Sequence, residues 1–145
     1  MTILSLQAEH LWLGNALDIR EPTALFDTGI TTVVDLAYEE PSAQLPRQLT
    51  YCRFPLNDGG GNSPAILLQA VQTVADFLNS DTPTIVACSA GMSRSPTIAA
   101  FALALHLSTN PEDEIRIIAE RKRIELNGVL WNDVAKVFPR ARRNV

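Results

Sequence analysis

A cysteine and an arginine six positions apart have the residue types and the spacing needed for phosphate chemistry. Cys88 and Arg94 enclose the small, polar stretch Ser89-Ala90-Gly91-Met92-Ser93. A thiolate is a strong nucleophile, and a guanidinium can donate two parallel hydrogen bonds to the oxygens of a phosphate. Small residues between them let the backbone curve around an oxyanion. We therefore predict a nucleophile and an anion-binding loop within one segment, referred to below as the 88–94 loop.

The flanking sequence predicts a strand before this loop and a buried helix after it. Residues 84–87 are apolar or β-branched, and a long apolar run covers residues 98–107. Pro96 suits the first helical turn, where a missing N–H costs nothing. A helix N-terminus stabilises anions, so it favours both the Cys88 thiolate and a bound phosphate. The alternative is a buried core cysteine in an ordinary strand–helix turn.

The loop resembles the signature of the Cys-x5-Arg protein tyrosine phosphatase superfamily, in its dual-specificity branch. That signature is His-Cys-x-x-Gly-x-x-Arg-Ser/Thr, and this chain reads Ala87-Cys88-Ser89-Ala90-Gly91-Met92-Ser93-Arg94-Ser95. The opening Leu11-Trp12-Leu13-Gly14-Asn15 and the closing segment from Asn127 to Phe138 also resemble this branch. The resemblance covers essentially the whole chain and implies the compact α/β phosphatase fold.

The resemblance implies a role for each residue of the loop. Cys88 is the expected nucleophile, and Ser95 is expected to hydrogen-bond the departing sulfur. The expected phosphate ligands are Arg94 and the backbone N–H groups of Ser89, Ala90, Gly91, Met92, Ser93 and Arg94. The histidine of the signature is replaced by Ala87. That replacement implies a weaker stabilisation of the thiolate, hence a lower rate or a higher optimum pH in an enzyme that is still active.

Asp58 is the predicted general acid. The family places this aspartate on a loop about thirty residues before the cysteine, and Asp58 follows Pro55-Leu56, thirty residues before Cys88. Three consecutive glycines follow it, so residues 57–63 are predicted to form a mobile loop. The alternative is an ordinary turn-forming aspartate before glycine.

The remaining pattern predicts an α/β fold with a central, mostly parallel sheet of four to five strands flanked by helices. Strands are predicted near residues 11, 33, 53 and 86, with residues 11–13 as an edge strand. Helices are predicted at 21–28, 64–79 and 98–107, then from 112 to about 123 and from 129 to 138. The 64–79 helix is predicted to be capped by Ser63 and to bury the face formed by Ala65, Leu68, Val71, Ala75 and Leu78.

Composition limits the classes of function. The 145 residues predict a single domain, 1–145, and the net charge of −4 argues against a general nucleic-acid or anionic-membrane binder. A basic n-region and an apolar span are lacking, so a cytoplasmic location is expected. Cys52 is predicted to be a buried filler, with a disulfide to Cys88, known in some relatives, as the alternative.

Other polar residues are predicted to have ordinary structural roles. Arg121, Lys122 and Arg123 are predicted to form a solvated helix end, with a binding patch as the alternative. His10 and His106 lie on separate elements, so a Cys-His protease is not predicted. No His, Cys or Asp spacing suggests a metal site, and neither metal nor cofactor is predicted.

The sequence therefore predicts a cysteine-dependent phosphatase that forms a phosphocysteine intermediate. Phosphotyrosine is the expected substrate, with phosphoserine and phosphothreonine also considered, so a phosphorylated protein is the expected partner. The variable loop positions Ser89, Ala90, Met92 and Ser93 are uncharged, which disfavours multiply charged lipid head groups. The alternatives are a weakly active or inactive phosphate-binding module and a phosphatase of a non-protein ester. The physiological substrate and the oligomeric state are not readable from the sequence.

Overall fold

In the computed structural model, the described residues 4–6 and 10–142 form five strands and five helices. The strands are β1 (Leu4–Leu6), β2 (Leu11–Asn15), β3 (Thr32–Ala37), β4 (Thr50–Leu56) and β5 (Thr84–Cys88). The helices are α1 (Pro22–Thr28), α2 (Pro64–Asn79), α3 (Arg94–Leu107), α4 (Pro111–Arg121) and α5 (Gly128–Val137). Short 3-10 turns occur at Asp18–Arg20 and Phe138–Arg140. None of these helices has both the length and the apolarity needed to cross a bilayer.

The strands form a single sheet in the order β1-β2-β5-β3-β4. Strands β2, β5, β3 and β4 are parallel to one another, and β1 is antiparallel to β2, so the predicted mostly parallel sheet is confirmed. The prediction of an edge strand at residues 11–13 is wrong. Leu4 pairs with Leu13 and Leu6 pairs with Leu11, which places β1 outside β2. A three-residue strand is too short to produce a periodic pattern in the sequence.

The sheet order brings the chemistry-bearing loops to one edge. Cys88, the last residue of β5, lies opposite Asn15 of β2, and Ala87 lies opposite Asp35 of β3. The carboxyl ends of parallel strands meet at the same edge of a sheet, where ligands usually bind. The loops after β3, β4 and β5 therefore converge around Cys88.

Two apolar cores lie on the two faces of the sheet. Val86 and Cys88 belong to the larger core, which includes side chains of α2, α3 and α5. Ile85 and Ala87 point to the smaller core, which includes Leu25 of α1. The larger core surrounds α3 so completely that residues 94–105 are all buried, which confirms the predicted buried helix.

The bounds predicted for α2 are confirmed, and its inward face is confirmed at Val71, Ala75 and Leu78, whereas its cap is not. Ala65 is exposed and Leu68 is only partly buried, whereas the buried apolar positions are Leu67, Ala70, Val71, Val74, Ala75 and Leu78. The first turn of α2 projects beyond the core, so the buried stripe starts only at residue 67. The Ser63 side chain makes no capping hydrogen bond.

The region between α4 and α5 also differs from the prediction. Helix α4 ends at Arg121, and Lys122 is extended, with φ −153° and ψ 157°. Gly128 begins α5 instead of ending the preceding helix. Asn127 caps α5, because its Oδ1 accepts hydrogen bonds from the N–H groups of Val129 and Leu130 at 3.0 and 3.1 Å. Residues 122–127 thus form an extended link, referred to below as the 122–127 segment.

Candidate active site

The 88–94 loop is supported from below by the end of β2. Ala16 N–H donates to the Ser89 carbonyl at 3.2 Å. Gly91 has φ +76°, and a Cβ at this position would lie 3.0 Å from the Gly14 carbonyl oxygen. A side chain would therefore be both conformationally strained and crowded at Gly91. The tight turn of the loop depends on two glycines that lie against each other.

Cys88 lies at the bottom of a cavity at the carboxyl edge of the sheet. Its Sγ is 3.4 Å from the hydroxyl of Ser95, and the residue is only 2% exposed. The cavity has a volume of about 280 Å³. Its lining consists of Glu39, Asp58, Cys88, Ser89, Ala90, Met92, Ser93, Arg94 and Glu125. The structure thus brings the predicted nucleophile, the predicted acid and most of the predicted phosphate ligands to one concavity.

The guanidinium of Arg94 is held through its two Nη groups, whereas its Nε is left without an acceptor in the described part of the chain. Its Nη1 and Nη2 donate to the two carboxylate oxygens of Glu39 at 2.6 and 2.7 Å, and Nη1 also donates to the Leu56 carbonyl at 2.8 Å. Its Nε is buried and has no hydrogen-bond partner among the described residues. A buried N–H without an acceptor is costly, so an anion in the cavity would supply what this donor lacks.

The charge of Arg94 is well supported. Burial opposes the charge, but the hydrogen bond to Glu39 and the nearby Cys88 and Asp58 raise the pKa of Arg94. The same hydrogen bonds lower the pKa of Glu39 to about 2. The pair is therefore fully ionised at neutral pH.

The segment that carries Glu39 is held in place by Arg53 of β4. Arg53 Nη2 donates to the carbonyls of Ala37 and Glu40 at 2.9 and 2.5 Å, and Nη1 donates to the Ser42 hydroxyl at 2.6 Å. Because Glu39 lies within this clamped segment, Arg53 positions it without touching the cavity. No residue between 38 and 46 is helical, so the segment is an irregular connection between β3 and β4.

A second acidic residue, Glu40, lies beside the loop. It accepts from the Ser89 hydroxyl at 2.6 Å and from Arg20 at 2.9 Å. The hydrogen bond from Ser89, followed by that from Arg20, lowers the pKa of Glu40. The Ser89 side chain is therefore engaged with an acid and is not free to bind substrate.

Asp58 is held against the 88–94 loop. Its Oδ1 accepts from the Ser93 hydroxyl at 2.6 Å, and its backbone carbonyl accepts from Asn127 Nδ2 at 3.0 Å. Within the 57–63 loop, the Asn62 side chain bonds both the N–H and the carbonyl of Asn57, at 2.8 and 3.0 Å. These bonds connect the two ends of the loop despite its three glycines. The predicted mobility of the loop stays a prediction.

The 122–127 segment completes the rim of the cavity. Glu125 N–H donates to the Met92 carbonyl at 2.9 Å, and Asn127 N–H donates to the Ser93 hydroxyl at 3.1 Å. The amine of Lys122 donates to the Gly91 carbonyl. The prediction of a solvated basic helix end is therefore wrong for Lys122, which is partly buried against the loop, while Arg121 and Arg123 are exposed.

Cys52 is not placed to form a disulfide with Cys88, and both cysteines are free. Cys52 lies opposite Val34, which in turn lies opposite Val86, so two strand spacings separate β4 from β5. At about 4.8 Å per spacing, the Cα atoms are farther apart than the ~7 Å that a disulfide allows. Burial raises the pKa of the Cys52 thiol.

The two histidines lie away from the cavity. His106 pairs with Asn79 at 2.7 Å, and His10 lies 3.9 Å from Asp81. Among the described residues, no group of three or more His, Cys, Asp or Glu side chains is arranged to hold a metal ion.

Sequence reasoning missed Glu39, Lys122 and Asn127 as residues of the site. The contacts of Glu39 and Asn127 cross 55 and 69 positions of the chain, and no local pattern reports such distances. For Asn127 a signal existed, since asparagine before a helix is a typical N-cap. Its second contact, with Asp58, depends on the tertiary fold.

The chain is similar in sequence to known phosphatases. A model of the family described as "Tc-R-P: Polymorphic toxin system, DSP-PTPase phosphatase" matches residues 16–107. The curated relatives include dual specificity protein phosphatase 8 of Mus musculus, 27% identical over 117 residues that cover 78% of this chain and 17% of the relative. Tyrosine-protein phosphatase vhp-1 of Caenorhabditis elegans is 25% identical over 122 residues, covering 82% and 18%. The chain thus spans less than a fifth of the length of these relatives.

The fold is shared with solved phosphatase structures. Human DUSP28 superimposes with a TM-score of 0.79 and 21% identity, over 92% of this chain and 94% of the other. Since the family model covers well over half of the sequence, including Cys88, Arg94 and Asp58, the resemblance to the dual-specificity branch is confirmed, and the chain belongs to the DSP-PTPase phosphatase family.

Proposed function

We propose that this chain hydrolyses phosphate monoesters through a covalent intermediate on Cys88, with phosphotyrosine in proteins as the preferred substrate. The observation that carries the proposal is the shared cavity of Cys88, Asp58 and Arg94, with the buried Arg94 Nε available to an anion. A nucleophile, a proton donor and a preorganised cation are the groups that phosphoryl transfer requires.

The first step transfers the phosphoryl group to sulfur. The Cys88 thiolate attacks phosphorus, so the P–S bond forms as the P–O ester bond breaks. Asp58 gives its proton to the departing oxygen, a contribution typically worth ~10²–10⁴-fold. Arg94 and the N–H groups of the 88–94 loop stabilise the charge that spreads over the equatorial oxygens.

The second step restores the enzyme. Asp58, now a carboxylate, accepts a proton from water as the water oxygen attacks phosphorus and the P–S bond breaks. The Ser95 hydroxyl, 3.4 Å from Cys88 Sγ, is placed to donate a hydrogen bond to the departing thiolate. Phosphate leaves, and Cys88 is again ionised.

The charge around the cavity supports a singly phosphorylated substrate. Glu39, Asp58 and Glu125 line it, and Arg94 is the only basic residue among the described lining residues. A head group with several phosphates would meet uncompensated carboxylates, which disfavours such substrates. A phosphotyrosine side chain brings one dianion to the single guanidinium.

The test is turnover of para-nitrophenyl phosphate and of a phosphotyrosine peptide in EDTA, with Cys88→Ser and Asp58→Ala beside the wild type. We expect no activity from Cys88→Ser and vanadate inhibition of the wild type. We expect a larger loss from Asp58→Ala on the peptide than on the nitrophenyl ester, whose leaving group needs less protonation. Equal trace rates in all three proteins would contradict the proposal and indicate a phosphate-binding module.

A substrate panel tests the second half of the proposal. Phosphotyrosine, phosphoserine and phosphothreonine peptides are compared with a phosphoinositide at matched concentrations. We expect the highest kcat/KM for phosphotyrosine. A higher value for the phosphoinositide would overturn the assignment of a protein substrate and leave the cysteine mechanism intact.

A further inference from the structure

Lys122 contacts the 88–94 loop at its tightest point. Its amine donates to the carbonyl of Gly91, the loop residue with φ +76°. A Cβ on Gly91 would lie 3.3 Å from Lys122 Nζ and 3.0 Å from the Gly14 carbonyl. The loop is therefore enclosed between strand β2 and the lysine, whereas the cavity is lined by other residues. Lys122 acts on the loop without meeting substrate.

Burial and nearby anions act in opposite directions on the charge of the Lys122 amine. Burial lowers the pKa of Lys122, and the negative charges of Cys88 and Asp18 offset only part of that lowering. The Lys122 amine is bound to the backbone of the loop that begins at Cys88, and a cation close to a thiolate stabilises that charged form. The other charged groups beside the loop are Arg94 from α3, Asp58 from the 57–63 loop, Glu39 and Glu40 from the segment after β3, and Glu125 from the 122–127 segment.

The residue directly before the cysteine supplies neither a charge nor a polar side chain. Ala87 is fully buried in the smaller apolar core, on the face opposite to Cys88. Any cation that supports the thiolate must therefore come from elsewhere in the chain. Arg94 is one such cation, and its end is already bound by Glu39.

We propose that Lys122 is a positioning residue of the proposed phosphatase: it fixes the 88–94 loop through the Gly91 carbonyl and stabilises the thiolate of Cys88. The inference rests on the proposed function for its catalytic meaning, but the state of the sulfur can be measured without turnover. Its removal is expected to weaken both loop order and thiolate formation.

The test follows alkylation of Cys88 by iodoacetamide across pH 5–9, measured by peptide mass spectrometry, which separates Cys88 from Cys52. The variants are Lys122→Met, Lys122→Gln, which keeps a donor without charge, and Lys122→Arg, which keeps the charge. Arg123→Gln is the matched control, because Arg123 is exposed and pairs only with Glu125 among the described ion pairs. Circular dichroism verifies that each variant is folded.

We expect the pH midpoint of alkylation to rise by about 0.5–1 unit in Lys122→Met and Lys122→Gln, and to stay near wild type in Lys122→Arg and Arg123→Gln. Stabilisation of the protein by vanadate should fall further in Lys122→Met than in Lys122→Gln, which retains a hydrogen-bond donor. Unchanged midpoints in the folded neutral variants would overturn the inference. So would an equal rise in Arg123→Gln, since that would reflect net charge alone.

The phosphatase mechanism and the role of Lys122 can be refuted independently of each other. A shifted midpoint in a protein whose turnover does not depend on Cys88 would retain the role of Lys122 and refute the phosphatase mechanism. Turnover that depends on Cys88, with an unchanged alkylation midpoint in the Lys122 variants, would support the phosphatase mechanism and refute the role of Lys122. With both intact, kcat/KM for Lys122→Gln should recover as the pH rises, because the thiolate then forms without help.

Discussion

Glu39 and Arg94 form a two-point ion pair, with Oε1 2.6 Å from Nη1 and Oε2 2.7 Å from Nη2. This pair leaves the Nε side of the guanidinium without an acceptor among the described residues. Glu39 therefore orients Arg94 through its two Nη groups and leaves Nε for another acceptor. The carboxylate is part of the anion site, although its own charge repels phosphate.

The orienting role predicts that Glu39→Ala weakens oxyanion binding. We expect vanadate inhibition to become about tenfold weaker, because a free Arg94 loses its fixed orientation. Glu39→Gln, which keeps one acceptor oxygen, should lie between the alanine variant and the wild type. Inhibition constants measured at pH 7 decide the matter, since tighter vanadate binding in either variant would show that Glu39 competes with phosphate.

The ion pair also predicts a pH dependence of stability. The pKa of Glu39 falls from 4.5 to about 2 on folding, so its contribution is fully present above pH 4.5 and is lost as the pH falls toward 2. The difference in unfolding free energy between wild type and Glu39→Gln should shrink across that window. Since the Glu39 side chain is 53% exposed, we expect a difference of at most about 1 kcal/mol. Urea titrations at several pH values measure it.

Arg53 is predicted to act on the cavity through Glu39. Arg53→Lys should lose the fork that binds the carbonyls of Ala37 and Glu40, lowering stability by about 1–3 kcal/mol and weakening vanadate inhibition. Ser42→Ala is the control, because it removes a single Arg53 contact and leaves the contacts with the carbonyls of Ala37, Tyr38 and Glu40. Denaturant unfolding and inhibition assays on the same samples separate the two effects. Unchanged inhibition in a destabilised Arg53→Lys would contradict the link to Glu39.

Asn127 is predicted to position the acid. Asn127→Ser keeps a side-chain oxygen that can cap α5 but cannot reach the Asp58 carbonyl. We expect near-normal stability and a loss of kcat on phosphotyrosine peptide that is about tenfold larger than the loss on para-nitrophenyl phosphate. Parallel losses on both substrates would show that Asn127 supports the fold and not the acid.

Gly91→Ala is predicted to disable the 88–94 loop. The substitution forces a side chain at φ +76°, costing about 1–2 kcal/mol, and places its Cβ 3.0 Å from the Gly14 carbonyl. Gly29→Ala is the matched control, with φ +89° at the end of α1 and no atom within 4 Å. Both variants should lose stability, whereas only Gly91→Ala should lose vanadate binding. Equal binding in the two variants would contradict the proposed crowding.

Local pattern was sufficient to locate the centre of the site. Cys88, Arg94 and the strand and helix around them are contiguous, so their types and spacing predict the loop without tertiary information. Asp58 lies farther away, and its prediction as the acid rests on the family's spacing of about thirty residues before the cysteine, because the local pattern alone also fits an ordinary turn. The same local reasoning predicted four of the five strands and failed for β1, whose three residues carry no usable period.

The supporting residues depend on long-range packing and were not predictable in this way. Lys122 follows a run of helical residues with complementary charges at each end, so the local signal favours a solvated helix end. The chain leaves the helix there because Lys122 and Glu125 bind the 88–94 loop. Helix propensity is a weak preference, and tertiary contacts override it.

The 122–127 segment has a practical consequence for any dissection of this protein. A fragment cut at residue 107, where the family match ends, would retain Cys88, Asp58 and Arg94. It would lose the hydrogen bonds that the 122–127 segment makes to Gly91, Met92 and Asp58. It would also lose the packing of Phe101 against Trp131 and Phe138, whose ring centroids lie 4.7 and 5.1 Å from that of Phe101. Such a truncation would keep every residue of the signature and still remove the contacts that hold the 88–94 loop and Asp58 in place.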